Sequence, residues 1–578
     1  MNRLVTISES RSAAEPTFAE LFTPKLVTVL REGYGFADFR ADAISGLTVA
    51  IVALPLSMAI AIASGATPDR GLYTAIVGGF LISLLGGSRF QIGGPAGAFI
   101  VLVAATVARH GIDGLILATL LAGLFLIAAG FLRLGTYIKY IPYSVTVGFT
   151  AGIGVIIFAS QIKDLLGLTL AHEPGPFVAK VEALWGVIGT ASPAAIAISA
   201  LTIVMIVGLR MWRPTFPGLL FAVIVTAFGA WLFGLPVETI GTRFGGIPQM
   251  LPAPSLPALS LDKVQAVLPD AVAFALLGAI ESLLSAVVAD GMTGRRHRSN
   301  CELVAQGVAN IGSALFGGIC VTGTIARTAT NVRSGAHGPI AGIMHSLFLL
   351  LFMLVAAPLA SFIPLATLAA VLAVVAWNMV ERNEFATLIR ASWGDAAVLL
   401  VTFLLTVFRD LTEGIVVGFA LGSVLFIHRM AQTTDIETRA PLAGDDRPDG
   451  APDARQPYDS SLASDRDVMI YRITGAFFFG AASTVGSVLD NISTRRKAMI
   501  IDFAAVPFLD STAANVIGRM AVKARRKNVR VFLTGTSTSV RRALKTYGAR
   551  PPAAEFRADI VQALNEIKGS PVTAKTGE

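Results

Sequence analysis

One arginine, one glutamate and one proline stand out in stretches that are otherwise apolar. Arg327 lies in GTIARTATN, Glu281 in AFALLGAIESLLSAVVAD and Pro95 in GGPAGAF. An ionisable side chain inside an apolar membrane region is costly and marks a functional position by default. Arg327 offers a permanent charge in a planar fork that matches a carboxylate or a sulfate. Glu281 is an isolated carboxylate that can load a proton, cancel its charge and so couple protons to a moving solute. Pro95 suits the first turn of a helix, where no donated hydrogen bond is needed. Gly93, Gly94 and Gly97 beside it permit close backbone approach. A helix starting there presents the N–H groups of Ala96, Gly97 and Ala98 to an anion, in place of its lost water. Thr324, Ile325, Ala326, Arg327 and Thr328 open a second such start. Each feature has a structural alternative. Small-residue packing would explain the glycines, snorkelling or a pair with Glu281 would explain Arg327, and a structural hydrogen bond or ion pair would explain Glu281. No catalytic constellation accompanies them. The six His are scattered without metal spacing, and the GxG pairs sit in apolar helices rather than in strand-to-helix loops. Neither an enzyme activity nor a metal or organic cofactor is expected.

These residues need a scaffold, and the composition says which. The chain has 578 residues, 54% hydrophobic and 15% charged, where soluble domains carry roughly 25% charge. Lipid can absorb that apolar excess, and a single soluble core cannot, since such cores stop growing at about 250–300 residues. Runs of about 20 apolar residues predict fourteen segments near 42–63, 68–86, 95–108, 112–132, 141–162, 192–209, 217–235, 268–290, 301–319, 324–334, 340–357, 362–380, 394–408 and 411–430. The third and the tenth are too short to span. Broken segments at matching positions in two halves point to a mid-membrane binding site. The predicted fold is therefore a polytopic α-helical protein built as a 7+7 inverted repeat.

Charge supports this topology. With a cytoplasmic N-terminus, Arg89, Arg133, Lys139, Arg210, Arg213, Arg295, Arg296, Arg298, Arg382, Arg390 and Arg429 fall inside. Arg70, Arg109, Lys163, Lys180, Arg243, Lys263 and Arg409 fall outside, interspersed with acids. That obeys the positive-inside rule and puts both termini in the cytoplasm. The net charge of +8 is explained by these loops, so no nucleic-acid partner is expected, only membrane lipid. The N-terminus has no apolar h-region, so the first apolar helix is expected to act as the insertion signal. Cys301 and Cys320 lack metal spacing and read as small packing residues.

The domains predicted along the chain are a cytoplasmic segment at 1–30, a transport domain at 31–430, a linker at 431–467, an α/β domain at 468–566 and a disordered tail at 567–578. The linker is rich in Asp, Pro, Ala and Gly without apolar period. In the α/β domain, strands are predicted at Val468–Ile473, Ala498–Phe503 and Val529–Thr534. Helices are predicted at Ser483–Asn491, Ser511–Lys527 and Ser537–Tyr547.

Several motifs add a resemblance. PLSMAIAIASGATPDRGLY (from Pro55), GGSRFQIGGPAGAF, GAIESLLSAVVADGMTGRRHRSNCELVAQGVANI and GTIARTATNVRSGA are similar to the SulP anion transporters, the bacterial relatives of the SLC26 family. FLDSTAANVIGRM, Phe508 to Met520, resembles the signature of a STAS domain, and FFFGAAS, Phe477 to Ser483, resembles transporter-linked versions of it. The resemblance runs from about residue 36 to 566. YIPYSVTVGFT, QIKDLLGL and LLGAIESLL look most like the proteobacterial C4-dicarboxylate members.

The resemblance implies a UraA-like fold, a homodimer, a bacterial inner-membrane location and an elevator-like or rocking motion. It puts Arg327 at the anion site. Leu56, Ser57 and Ile60 join that site from the first segment. Leu56 stands where eukaryotic relatives carry Gln, which suggests an apolar wall suited to a dicarboxylate. An acid at Glu281 implies coupling, with Glu in proton-coupled members. The sodium-coupled bicarbonate branch carries Asp with Thr four residues on. Here Glu281 and Ser285 occupy those places, favouring protons while Ser285 keeps sodium open. Asp510, Ser511 and Thr512 fall at the STAS regulatory position, where Asp510 or Ser511 could equally be only a helix cap. The expected function is proton-coupled symport of a small inorganic or organic anion, a C4-dicarboxylate such as succinate or fumarate first, with sulfate or bicarbonate as the alternative. A further alternative is an anion sensor acting on a cytoplasmic partner through the STAS domain.

Overall fold

The computed structural model describes residues 17–138, 142–170, 173–213, 217–257, 259–432, 435–439, 468–478 and 497–569. Lys139, the start of the 1–30 segment, linker residues 440–467, the end of FFFGAAS, the predicted Ser483–Asn491 helix and residues 570–578 lie outside them.

The chain divides into two compact units, Met1–Ala420 and Leu421–Glu578. The first is helical. Two short helices, α1 (Phe18–Phe22) and α2 (Lys25–Glu32), precede α3 (Phe36–Ala63), α4 (Pro68–Tyr73) and α5 (Gly79–Leu85). Strand β1 (Gly93–Gly94) leads through a 3-10 turn into α6 (Ile100–Phe131), and α7 (Gly135–Ile138) follows. Next come α8 (Tyr143–Leu166), α9 (Phe177–Gly186), α10 (Pro193–Trp212), α11 (Gly218–Leu232) and α12 (Ile240–Phe244). The second half opens with α13 (Leu261–Thr293), α14 (Ser299–Leu315), β2 (Thr322–Gly323), α15 (Ile325–Arg333) and α16 (Ile340–Ala360). It ends with α17 (Leu365–Met379), α18 (Arg382–Ala391), α19 (Trp393–Phe408) and α20 (Leu411–Gln432).

Among the described residues, eight helices are long and apolar enough to cross a membrane, and α11 and α19 are shorter apolar helices. The fourteen predicted segments are therefore not fourteen separate long helices. The 68–86 run is built from α4, a π-helical turn at Thr74–Gly78 and α5. The third and fourth runs join in α6 across Gly111, which sits at φ 67° and ψ −171°. A left-handed φ there suits glycine, and it bends the helix without a full break.

Packing sorts the helices into two groups. α6 packs on α13 and α14, and α3 packs on α16, whereas α8 packs on α17 and α19, and α10 on α11 and α17. Lipid is as apolar as leucine, so small residues decide how closely membrane helices approach. Gly123 of α6 and Gly307 of α14 show this. A Cβ on Gly123 would lie 2.7 Å from the Gly307 carbonyl oxygen, and one on Gly307 would lie 2.8 Å from the Ile127 amide.

The second unit holds a five-stranded sheet in the order β3-β4-β5-β6-β7, with β3 antiparallel and the rest parallel. The strands are β3 (Asp435–Arg439), β4 (Val468–Thr474), β5 (Ala498–Ala505), β6 (Arg530–Thr534) and β7 (Glu555–Phe556). Helices α21 (Ser511–Arg526), α22 (Thr538–Thr546) and α23 (Ile560–Gly569) accompany them. The predicted linker is corrected at its start. Asp435–Arg439 pairs along β4 as an edge strand. Its polar sequence DIETR carries no apolar alternation, and backbone pairing to a buried neighbour makes it a strand.

Candidate functional site

Two broken segments meet at a short antiparallel ribbon, Gly93 opposite Gly323 and Gly94 opposite Thr322. Further bonds fasten it. The Thr324 amide and hydroxyl donate to the Ile92 carbonyl at 3.0 and 3.2 Å. The Ile92 amide donates to Thr328 Oγ1 at 3.1 Å. Past the ribbon, Pro95 and an extended Ala96 lead into the turn Gly97–Phe99, and Thr324 leads into α15. Neither start has a side-chain cap among the described residues, which leaves the first N–H groups of both without such a partner.

Arg327 is 2% exposed. Its Nη2 donates to Ser57 Oγ at 3.2 Å and to the Pro95 carbonyl at 3.3 Å, and its Nε and Nη1 have no hydrogen-bond partner among the described residues. The guanidinium lies across Gly94, where any Cβ would collide with Nη1. So a glycine of the first repeat seats a buried cation of the second. The structural alternative of a pair between Arg327 and Glu281 is not formed among the described residues.

The predicted binding residues converge here. Leu56, Ser57 and Ile60 are buried on α3, just past Pro55. Pro95, Ala96 and Ala98 are buried, and Gly97 is half-buried. A Cβ on Gly97 would lie 3.4 Å from Ile157 Cδ1 of α8 and 3.6 Å from Met379 Sδ of α17. The start of α6 therefore faces the other helix group. Thr324 and Thr328 are buried in the ribbon fastening, Ile325 is half-buried and Ala326 exposed.

Glu281 sits on α13 at 8% exposure, and no hydrogen bond or ion pair engages its carboxylate among the described residues. Ser285, one turn on, donates to Thr328 Oγ1 at 3.0 Å, which joins the α13 face to α15. Beside Glu281, Ser282 accepts from Gln91 Nε2 at 3.2 Å on its carbonyl and 3.1 Å on its hydroxyl.

Sequence reasoning missed four polar residues around the ribbon. Gln91 rests against Gly323, and its Oε1 is buried without a donor. Asn331 donates to the Phe90 carbonyl at 2.9 Å and accepts from Ser45 at 2.6 Å. Asn310 bridges the Val321 amide and carbonyl at 3.0 and 2.8 Å. His345 on α16 is fully buried, with both ring nitrogens unpartnered among the described residues. The signal available was a polar residue within an apolar run.

In the second unit Asp510 caps α21, its Oδ1 accepting from the Ala513 amide at 2.8 Å. Ser511 and Thr512 are exposed on the first turn. Phe477 closes onto this loop. Its amide donates to the Phe508 carbonyl at 3.0 Å, and its carbonyl accepts from the Asp510 amide at 3.2 Å.

Comparison with known proteins puts these features in a family context. Residues 39–402 match the sulfate permease family and residues 461–559 match the STAS domain. The chain is 39% identical over 523 residues to the putative sulfate transporter YvdB of Bacillus subtilis, covering 89% of this chain and 95% of that protein. It is 31% identical over 520 residues to the bicarbonate transporter BicA of Synechocystis, covering 88% and 90%. The solved transmembrane domain of a cyanobacterial BicA superposes with a TM-score of 0.60 at 34% identity, over 66% of this chain and 98% of that one. SLC26A9 superposes with a TM-score of 0.81 at 17% identity, over 95% and 92%, and shares the fold.

Proposed function

We propose that this chain, which belongs to the sulfate permease family and is a multi-pass membrane anion transporter with a STAS domain, carries a small oxyanion bound at Arg327 between the two helix starts. One observation carries this reading. Arg327 is buried in an apolar bundle and keeps Nε and Nη1 free of protein partners. A buried cation needs a counter-charge, and a guanidinium fork suits a planar or tetrahedral oxyanion. The uncapped starts of the Gly97 turn and α15 add oriented N–H groups and dipole ends at the same place.

The names of the relatives, sulfate and bicarbonate transporters, favour a compact oxyanion over the C4-dicarboxylate that sequence resemblance suggested. Buried Leu56 and Ile60 beside Ser57 keep the dicarboxylate in the test as a competitor. Glu281 is the proposed coupling group. Its carboxylate has no protein donor or cation among the described residues, so an arriving proton finds it unoccupied. Ser285 is bonded to Thr328, which favours a proton over a sodium ion there. Proton loading at α13 would then reach α15, and so Arg327, through that same Ser285–Thr328 bond. In the proposed motion α3–α6 and α13–α16 move together against α8–α12 and α17–α20, by an elevator-like or rocking step. A homodimer in a bacterial inner membrane, with both termini cytoplasmic, completes the reading.

The test is uptake by proteoliposomes of labelled bicarbonate or sulfate under an inward proton gradient, an inward sodium gradient or neither. The account expects proton-driven accumulation of at least one anion that Glu281→Gln uncouples. Accumulation driven only by sodium would overturn the proton assignment. Succinate displacing both labels at lower concentration than either unlabelled oxyanion would overturn the substrate assignment.

A further inference from the structure

His345 is a buried ionisable group to which the transport reading gives no role. Close contacts fix its place. A Cβ at Gly46 of α3 would lie 3.0 Å from the His345 amide, and Ser45, the residue before, donates to Asn331 on α15. Asn331 is one turn after Arg327. On the other flank, a Cβ at Gly79 would lie 2.9 Å from the Gly93 carbonyl oxygen and 3.0 Å from Ser346 Oγ, which puts this turn of α16 close to β1. Gly94, next in β1, seats the Arg327 guanidinium. His345 therefore lies beside the anion site, within the field of Arg327.

Two plainer explanations fall short. A packing residue has no need of an imidazole, and a buried polar group left unpartnered costs stability that leucine would keep. A metal ligand would need company, and no group of three or more His, Cys, Asp or Glu that could hold an ion occurs among the described residues. Charge supplies a role instead. The elements packed on α16 are α3, α5 and the π-helical turn. α5 and the turn carry no ionisable group, and on α3 Asp38, Arg40 and Asp42 stand one to two turns before Gly46. Asp42 is already engaged, accepting from Tyr34 Oη and from the His337 and Gly338 amides, and Asp38 pairs with His337. With Arg327 beside it and no acceptor on either nitrogen among the described residues, the ring is uncharged while the site is empty. A monoanion on Arg327 brings the pair to zero. A dianion leaves one negative charge in an apolar bundle, which is costly. Glu281 can cancel its own charge but cannot supply a positive one, whereas an imidazole can. Ser83 Oγ, also buried and unpartnered among the described residues, sits against Gly342, about one turn before His345. A hydroxyl donates or accepts by rotation, so it suits either state of the ring.

We infer that His345 takes up one proton when the site holds a dianion such as sulfate and none when it holds a monoanion such as bicarbonate, so that both cross with the same net charge. The inference rests on the anion site at Arg327. The proton comes from solvent on the loading side, adds to the lone pair of the ring and leaves with the anion on the other side. No bond of the anion changes.

The test uses the full chain in proteoliposomes at equal pH on both sides, with accumulation of labelled sulfate and of labelled bicarbonate compared with and without a membrane potential. An inside-negative potential of about 60 mV lowers accumulation about tenfold for each uncompensated negative charge that is carried. In the unmodified chain the two anions should respond alike. His345→Gln should make sulfate accumulation about tenfold more sensitive to that potential and leave the bicarbonate response unchanged, a split that a damaged fold would not produce. Sulfate about tenfold more sensitive than bicarbonate in the unmodified chain overturns the inference without any variant. An unchanged sulfate response in His345→Gln overturns it too, as does a chain that takes up no sulfate. Failure of the Arg327 site itself shows separately, as equal uptake by Arg327→Ala.

Discussion

At the scale of single residues, Arg327 does the electrostatic work and Gly94 lets it do so. Removing a charge-assisted hydrogen bond costs about 1.5–3 kcal/mol, or about 10–100-fold in affinity. Arg327→Lys keeps the charge but loses the fork. It is expected to weaken anion binding by about tenfold, measured as the half-saturation of uptake. Gly94→Ala should do similar damage without touching a charge, because the new methyl occupies the guanidinium's place. Anion binding unchanged in Gly94→Ala would contradict the seating of Arg327 on the ribbon. Asp510→Ala removes the α21 cap and should cost about 1 kcal/mol of domain stability, read as a lower midpoint of STAS unfolding. The chemistry of these residues was legible early, because an Arg or a Glu in an apolar run is conspicuous. Their partners were not. That Arg327 meets Ser57 and Pro95 rather than Glu281 depends on how the two repeats cross, which no local pattern encodes.

At the scale of elements, the ribbon β1–β2 holds the site, and the parts around it anchor the ribbon. Its strands are two residues each and were invisible to periodicity, since alternation needs about four residues to register. The short third and tenth segments nonetheless marked where it lies. The N-terminal helices form a second anchor. Arg298 donates to the Thr23 carbonyl at 2.8 Å and to Thr28 Oγ1 at 2.9 Å, and Arg89 pairs with Glu32. Arg298→Ala is expected to raise amide exchange across residues 18–32 while leaving residues 498–534 unchanged. Equal protection in both variants would refute that anchoring. In the STAS domain, Arg557 bonds Glu566 at 2.5 and 2.7 Å, and this holds the Glu566 carboxyl below the usual range. A carboxylate with a lowered folded pKa stabilises fully above its unfolded value, about 4.3. That contribution is lost as pH falls through the folded value. Melting of the domain should therefore lose this contribution on acidification below about pH 4.3, and Arg557→Ala should show a smaller acid-dependent loss. The pair is partly exposed to solvent, so the difference will be small.

At the scale of the whole molecule, composition identified a membrane protein, and the alternation of strand-like and helix-like runs after the linker identified a separate α/β tail. Hydropathy gave the helices at nearly their observed positions because lipid imposes a simple rule on each one. It could not separate a broken or bent helix from two spans, so the runs around α4–α5 and α6 read differently in the structure. The edge strand at Asp435–Arg439 escaped for the opposite reason, since its partner and not its composition makes it a strand. Sidedness is open to direct measurement. Cys301 and Cys320 are 3% and 1% exposed, so a membrane-impermeant maleimide should report introduced cysteines against a low background. Lys263→Cys is expected to label from outside intact cells and Arg295→Cys only after permeabilisation. The reverse pattern would invert the proposed topology.

The transport account depends on one claim, that an anion takes up the unpartnered nitrogens of Arg327 and is carried. The most direct measurement is uptake of labelled bicarbonate and of labelled sulfate into proteoliposomes by the unmodified chain and by Arg327→Ala, at matched protein density. The account predicts saturable uptake of at least one anion in the former and a loss of at least about tenfold in the latter. Equal uptake by both proteins would contradict it.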